Sequence, residues 1–364
     1  MSIYKEIIKS GIIFRRPIRV FSNIFSVFIS GPKAGKPFIL KFENSTLCNL
    51  KCQMCPLNNG LNRKTGVLSF EKFKKIYDEI NPPYLNLTGI GEPLLNPDIF
   101  KIIKYGRAKG SLVKIDTNGT LLTDENIKKL IHSEPTFVSV SIDSVDKKTY
   151  EKIRKGAKFE MVIENFKKLI QYRNQINSKT KIHLFFVLQE ENILELPEFI
   201  KFGDESGVDS INGTVVISMG KNKNEKNRKI NLEKISKVKR ELKELKKNVA
   251  VNMNLESIES FLDNPEKIEK EKPCFWPWYQ AAITWDGYVT PCCIFCDNEI
   301  VFGNVFEESF MKIWNNKKSQ EFRKQLVKKR TGICKSCGVD EGFIYDKLKI
   351  LYKIPLINRM SFRK

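Results

Sequence analysis

No stretch of the chain supplies the roughly 20 consecutive apolar residues that a membrane-spanning helix needs. The first residues do not have the form of a secretory leader, and no internal repeat or low-complexity tract occurs beyond the alternation described below. Acidic residues are in deficit: 42 Asp and Glu stand against 63 Lys and Arg, a net charge of +21. Without a leader, the nine cysteines do not read as a disulfide framework, which belongs to much shorter secreted scaffolds. Thiols kept reduced and clustered read instead as metal ligands, so the expected compartment is a reducing cytoplasm.

The chain's 364 residues allow a substantial core, and the prior is one large barrel-type domain with a smaller appendage. The positive charge is unevenly placed. Met1 to Lys41 carries eight basic residues and one acidic, and Phe343 to Lys364 carries six and one, so the termini supply more than half of the excess. Both ends mix apolar and basic residues. Each reads either as a segment docked on the barrel or as a basic amphipathic surface meeting anionic lipid, which would place the protein at the membrane periphery. A third basic block, Lys221 to Lys247, has helical apolar spacing at Ile230, Leu232, Ile235, Val238, Leu242 and Leu245 and reads as a solvated helix.

Between Ile39 and Ile217, apolar strand-like runs alternate with segments of helical period, the mark of parallel βα units. The expected strands are Ile39 to Ser45, Tyr84 to Ile90, Leu112 to Thr117, Phe137 to Ile142, Ile182 to Gln189 and Ser210 to Ile217. The helices between them are expected at Phe70 to Ile80, Pro97 to Lys109, Asp124 to His132, Lys147 to Ile153 continuing as Phe159 to Gln175, and Leu194 to Glu205. A basic helix from Ile230 completes an α/β fold, a partial (β/α)6 TIM-like barrel, and a short strand is expected at Val249 to Met253. The units are 1–37, a basic amphipathic segment; 38–220, the barrel; 221–273, linker and helix; 274–340, a small cysteine-rich C-terminal domain; and 341–364, a basic tail.

In such barrels the chemistry sits where the strands end, and the polar motifs fall there. Cys48, Cys52 and Cys55 follow the first strand, Gly89-Ile90-Gly91-Glu92-Pro93 the second, Thr117-Asn118-Gly119-Thr120 the third, and Ser141-Ile142-Asp143 the fourth. A cubane [4Fe-4S] cluster takes four thiolates. Three in one loop leave one iron free for another ligand. The other readings are buried free thiols, or a zinc site completed from elsewhere. Singly, the remaining motifs have plain readings: glycines after a strand make turns, and Asn118 suits a left-handed turn.

The C-x3-C-x2-C spacing, with Asn49 after the first cysteine and Pro56 after the last, resembles the signature of radical S-adenosylmethionine (SAM) enzymes. Met54 departs from it, since an aromatic residue is usual there. The resemblance implies that the free iron chelates SAM and that reductive cleavage yields a 5'-deoxyadenosyl radical, with electrons from a flavodoxin- or ferredoxin-like donor. It carries SAM contacts onto Gly91, Glu92, Asn118, Ser141 and Asp143. Arg154 reads equally as a partner of the SAM carboxylate or as a surface arginine.

A second set, Cys274, Cys292, Cys334 and Cys337, contains C-x12-G-x4-C and ends in C-x2-C. It resembles the C-terminal SPASM extension of these enzymes in its truncated Twitch form, and implies one auxiliary [4Fe-4S] cluster; a structural four-cysteine zinc is the alternative. Cys293 and Cys296 are left over. Cys293 stands where related maturases carry a catalytic acid, so it is a candidate catalytic residue beside the readings of spare thiol and alternative ligand. The resemblance spans about Phe38 to Gly338. It implies hydrogen abstraction from a substrate, followed by oxidation, epimerisation or crosslinking. A small, sugar-like or lipid-linked substrate is expected, with a ribosomal peptide as the alternative and a non-catalytic electron carrier as a remote third. No nucleic-acid partner is expected, because no recognisable RNA-binding appendage accompanies the charge.

Overall fold

The computed structural model describes residues 31–216, 230–265, 274–335 and 337, with Ser22 alone before them. The amphipathic amino-terminal stretch to Ser30 otherwise lies outside the described residues, as do the linkers 217–229 and 266–273 and the basic tail. Among the described residues no helix is long and apolar enough to cross a membrane.

Six parallel strands follow one another in sheet order: β1 (Ile39–Phe42), β2 (Tyr84–Asn86), β3 (Leu112–Thr117), β4 (Phe137–Ser141), β5 (Lys181–Leu188) and β6 (Ser210–Val215), with β7 (Asn252–Asn254) parallel at the far edge. Helices α1 (Phe70–Ile80), α2 (Ile99–Ala108), α3 (Asp124–His132), α4 (Lys147–Ile153), α5 (Phe159–Gln175) and α6 (Leu196–Glu205) alternate with them. α1, α3 and α4 begin at side-chain caps, Ser69, Thr123 and Asp146. Ser69 and Thr123 accept hydrogen bonds from backbone N–H groups of the first turns of α1 and α3, and Asp124 and Glu125 put acid at the positive end of the α3 dipole. The outer face of the sheet is apolar, with Leu40, Phe42, Leu85, Leu87, Val113 and Ile115 buried under the helices.

β1 and β2 end earlier than their apolar runs. Glu43 N–H and Leu87 N–H still bond the neighbouring strands, to Ile283 O and Lys114 O. Beyond them the backbone turns away, with Thr46 N–H donating to Gly66 O at 2.9 Å and Glu92 N–H to Leu47 O, beside the cysteine loop, at 2.7 Å. The sheet is also larger than a six-strand barrel. β8 (Gln280–Ile283), from the cysteine-rich region, pairs in parallel with β1, and β9 (Tyr288–Thr290) and β10 (Gly303–Asn304) continue antiparallel, giving ten strands ordered β10-β9-β8-β1-β2-β3-β4-β5-β6-β7. The C-terminal unit is thus built into the barrel wall.

The segment before β1 is held by that unit. Trp278 Nε1 donates to Gly31 O (2.8 Å), Arg323 Nη1 to Pro32 O (3.1 Å) and Trp314 Nε1 to Gly35 O (3.1 Å), while the Asn315 side chain pairs with both backbone groups of Ala34. Arg323, on the helix Lys317–Lys328, is fully buried, with its guanidinium 4.4 Å from the Trp314 ring centroid.

Candidate active site

The cysteine loop hangs from the end of β1 and is fixed on several sides. Lys51 N–H donates to Lys155 O (2.8 Å) and Gln53 N–H to Ile153 O (2.9 Å), tying it to the end of α4. Asn118 Nδ2 reaches Asn49 Oδ1 at 3.0 Å and Cys48 Sγ at 3.9 Å. The Cys55 thiol lies 3.9 Å from Ile90 O. Burial raises the pKa of all three thiols, Cys55 to about 12. They therefore stay protonated until a metal displaces the proton.

Gly91 and Glu92 close the rim against this loop. A Cβ at Gly91 would stand 2.5 Å from Ser45 O and 2.6 Å from Leu47 O, so only glycine lets the two turns touch. Glu92 is 1% exposed, and its carboxylate accepts from Thr117 Oγ1 (2.7 Å), Asn118 N (2.8 Å) and Leu94 N (3.2 Å). Burial pushes its pKa up against these bonds. Glu92 thus joins the second and third strand ends, and Asn118 joins the third to the cysteine loop. At the fourth strand end, Ser141 is half-buried and Asp143 wholly buried. Arg154 is no surface arginine: its Nη2 meets Asp143 Oδ2 at 2.8 Å, and Asp143 Oδ1 accepts from Val187 N at 2.9 Å. Burial raises the Asp143 pKa while Arg154 opposes it. The four motifs do converge on one rim.

The second cysteine set gathers around a cavity of about 230 Å³ lined by Cys274, Cys292, Cys334 and Cys337, and by Cys293 as well. Cys292 Sγ and Cys293 Sγ are 3.9 Å apart, and Gln280 Nε2 approaches Cys292 Sγ at 3.8 Å. Cys296 does not line this cavity; it is buried, and burial raises its pKa to about 12. Among the described residues no three His, Cys, Asp or Glu side chains converge on a point able to hold a single metal ion.

Several residues at the site escape motif reading. Lys41, Asn86, Thr88, Lys114 and Asp116 lie on the inner face of β1 to β3 and the turn after β2. Lys114 Nζ pairs with Asp116 Oδ1 at 2.8 Å, the Thr88 hydroxyl lies between Asn86 and Asp116, and Lys41 Nζ donates to Cys293 Sγ at 3.1 Å. Beyond them Arg63 Nη2 holds both Glu43 oxygens, at 2.7 and 2.8 Å, and Trp285 N–H donates to Glu43 Oε2. The signal was strand alternation: Leu40-Lys41-Phe42-Glu43 and Val113-Lys114-Ile115-Asp116 put every second, charged residue inward.

Residues 45–202 match the radical SAM superfamily, and residues 274–338 match the SPASM iron–sulfur cluster-binding domain. The chain carries a radical SAM domain followed by a SPASM domain. This radical SAM enzyme is 28% identical over 307 residues to the tungsten-containing aldehyde ferredoxin oxidoreductase cofactor-modifying protein of Pyrococcus furiosus, covering 78% of this chain and 82% of that one. It is 26% identical over 333 residues to the AdoMet-dependent heme synthase of Methanosarcina barkeri, covering 84% and 90%. The fold is that of Streptococcus suis SuiB, with a TM-score of 0.67 for its SAM-bound structure (19% identity, 100% of this chain, 87% of that one) and 0.64 for its complex with precursor peptide SuiA (18%, 85% and 73%). The cofactors of this radical SAM enzyme are SAM, a SAM-binding [4Fe-4S] cluster and an auxiliary iron–sulfur cluster. The residues present fit both clusters: buried thiols at each centre, side-chain N–H groups directed at sulfur, and an auxiliary cavity lined by basic residues and no Asp or Glu.

Proposed function

We propose that this chain cleaves SAM reductively at a cluster held by Cys48, Cys52 and Cys55, and oxidises a small polar substrate lodged inside the barrel beside an auxiliary cluster held by Cys274, Cys292, Cys334 and Cys337. The observation that carries this reading is the polar inner wall of β1 to β3, which leads from the auxiliary cavity toward the rim of the cysteine loop. When bound, the SAM-ligating cluster supplies the electron that splits SAM into methionine and a 5'-deoxyadenosyl radical, and the auxiliary cluster supplies an electron acceptor. The chain's own residues do the positioning. Gly91, Glu92 and Asn118 fix the rim against the cysteine loop, Arg154 neutralises Asp143 beneath it, and Ser141 faces the barrel interior, where it can meet SAM or substrate. Lys41, Asn86, Thr88, Lys114 and Asp116 offer hydrogen bonds to a polar molecule, and the enclosing wall excludes water and oxygen from a reactive radical.

A small substrate is favoured by the relatives matched over most of their length, whose names describe a cofactor-modifying protein and a heme synthase. A peptide maturase is the second reading, supported by the likeness to SuiB, one structure of which holds a precursor peptide. A low-potential flavodoxin or ferredoxin is the proposed electron source in either case.

Anaerobic reconstitution tests the assignment. Two four-iron clusters predict about eight irons per chain and reductive formation of 5'-deoxyadenosine. Cys52→Ala should abolish cleavage, whereas Cys334→Ala should hold about four irons and still cleave SAM. About four irons in the wild-type chain would remove the auxiliary cluster, and intact iron without cleavage would leave an electron carrier.

A further inference from the structure

The cavity around the C-terminal cysteines reaches across to β1. Its lining includes five cysteines and three basic residues, Lys41, Lys114 and Arg330, with no Asp or Glu. Such a lining suits an anionic guest. Four thiolates around a doubly positive cubane leave it negative, and reduction adds one more negative charge, so nearby fixed cations and hydrogen bonds to sulfur govern how readily it is reduced. Of the three cations, Lys114 is already paired with Asp116 at 2.8 Å. Lys41 Nζ instead donates to a sulfur, Cys293 Sγ at 3.1 Å, and that sulfur stands 3.9 Å from Cys292 Sγ. Lys41 comes from the inner wall of the barrel, half-buried, where water screens its charge less than at an open surface.

We propose that Lys41 raises the reduction potential of the auxiliary cluster and so makes it a usable acceptor for the electron given up by the substrate. This rests on the functional reading above. A substrate that gives one hydrogen atom to the 5'-deoxyadenosyl radical, then one electron to the auxiliary cluster and one proton to the medium, ends two electrons more oxidised, and the acceptor must lie within reach of that substrate radical's potential. A fixed ammonium favours the more negative, reduced state, so its loss moves the midpoint downward. Lys41 is thereby a positioning residue for charge, supplied by the barrel to a centre whose thiols come from the C-terminal unit.

The test is a redox titration of the full, anaerobically reconstituted chain, followed by electron paramagnetic resonance, for wild type and Lys41→Met. The expected result is retention of about eight irons with the auxiliary midpoint displaced to more negative potential by at least a tenfold change in the reduction equilibrium, about 59 mV for one electron. Lys41→Arg should keep most of the wild-type midpoint. If Lys41→Met does not accumulate, Lys41→Gln, also uncharged, carries the same expectation. An unmoved midpoint with full iron content overturns the proposal, and so does selective loss of the auxiliary iron, which would make Lys41 a residue of cluster assembly. A wild-type chain with about four irons, or without SAM cleavage, fails the functional reading instead, before any variant is compared.

Discussion

His183 stands on β5 with 2% exposure, its ring 5.2 Å from that of Phe137. Burial, with Lys114 adding to it, lowers its pKa from 6.5 to about 3. The folded value lies below the unfolded one, so the unfolded chain binds the extra proton between these limits. Stability from the neutral imidazole is therefore complete above about pH 6.5 and drains as the pH falls toward 3, on the order of 2 kcal/mol being lost by pH 5. Wild type should lose several degrees more of Tm between pH 7 and 5 than His183→Gln, and parallel losses would disprove a buried neutral histidine. Gly91 makes a second residue-scale prediction. In Gly91→Ala the new methyl meets the carbonyls of Ser45 and Leu47, and the rim and cysteine loop must part. SAM affinity should fall at least tenfold, about 1.4 kcal/mol, read by equilibrium binding to the reconstituted protein.

At the scale of elements, Arg323 shows how the wall is locked. Its Nε donates to Pro277 O at 2.7 Å and its Nη1 to Pro32 O, with no carboxylate partner among the described residues, and burial lowers its pKa to about 9. Arg323→Met would keep much of the packing but leave both carbonyls unsatisfied, at a cost of about 2–4 kcal/mol. Tm should drop, and amide exchange at Ala34 should accelerate at least tenfold while exchange in β4 and β5 changes little. The order of β1 to β6 and of the helices between them was legible because each unit carries its own period, cap and turn. The ends of β1 and β2 were not, because the same apolar residues can extend a ladder or leave it, and the choice depends on bonds to the distant cysteine loop. The docking of β8 on β1 was illegible for a related reason: Gln280-Ala281-Ala282-Ile283 has no strong strand signature, and its partner lies some 240 positions earlier. Cysteine spacing identified both centres, whereas Lys41 and Arg63 lie in no motif and take their meaning only from what folding brings beside them.

Across the whole molecule, β1 reaches the auxiliary cavity and runs on into the loop that carries the first three cysteines. Lys41 on its inner face meets the cavity of the second cysteine set, and Cys48, seven positions on, begins the first cysteine loop. At roughly 3.3 Å per extended residue, that stretch spans at most about 23 Å. The chain between the centres therefore acts as a molecular ruler whose graduations are backbone bonds. Changes of side chain along it are tolerable one at a time, but a change of length is not, since one added residue would shift the cysteine loop against the backbone groups it bonds, Gly66 O and Glu92 N–H among them. Lineages of this chain should accordingly vary in sequence between Lys41 and Cys48 while keeping the number of residues there constant.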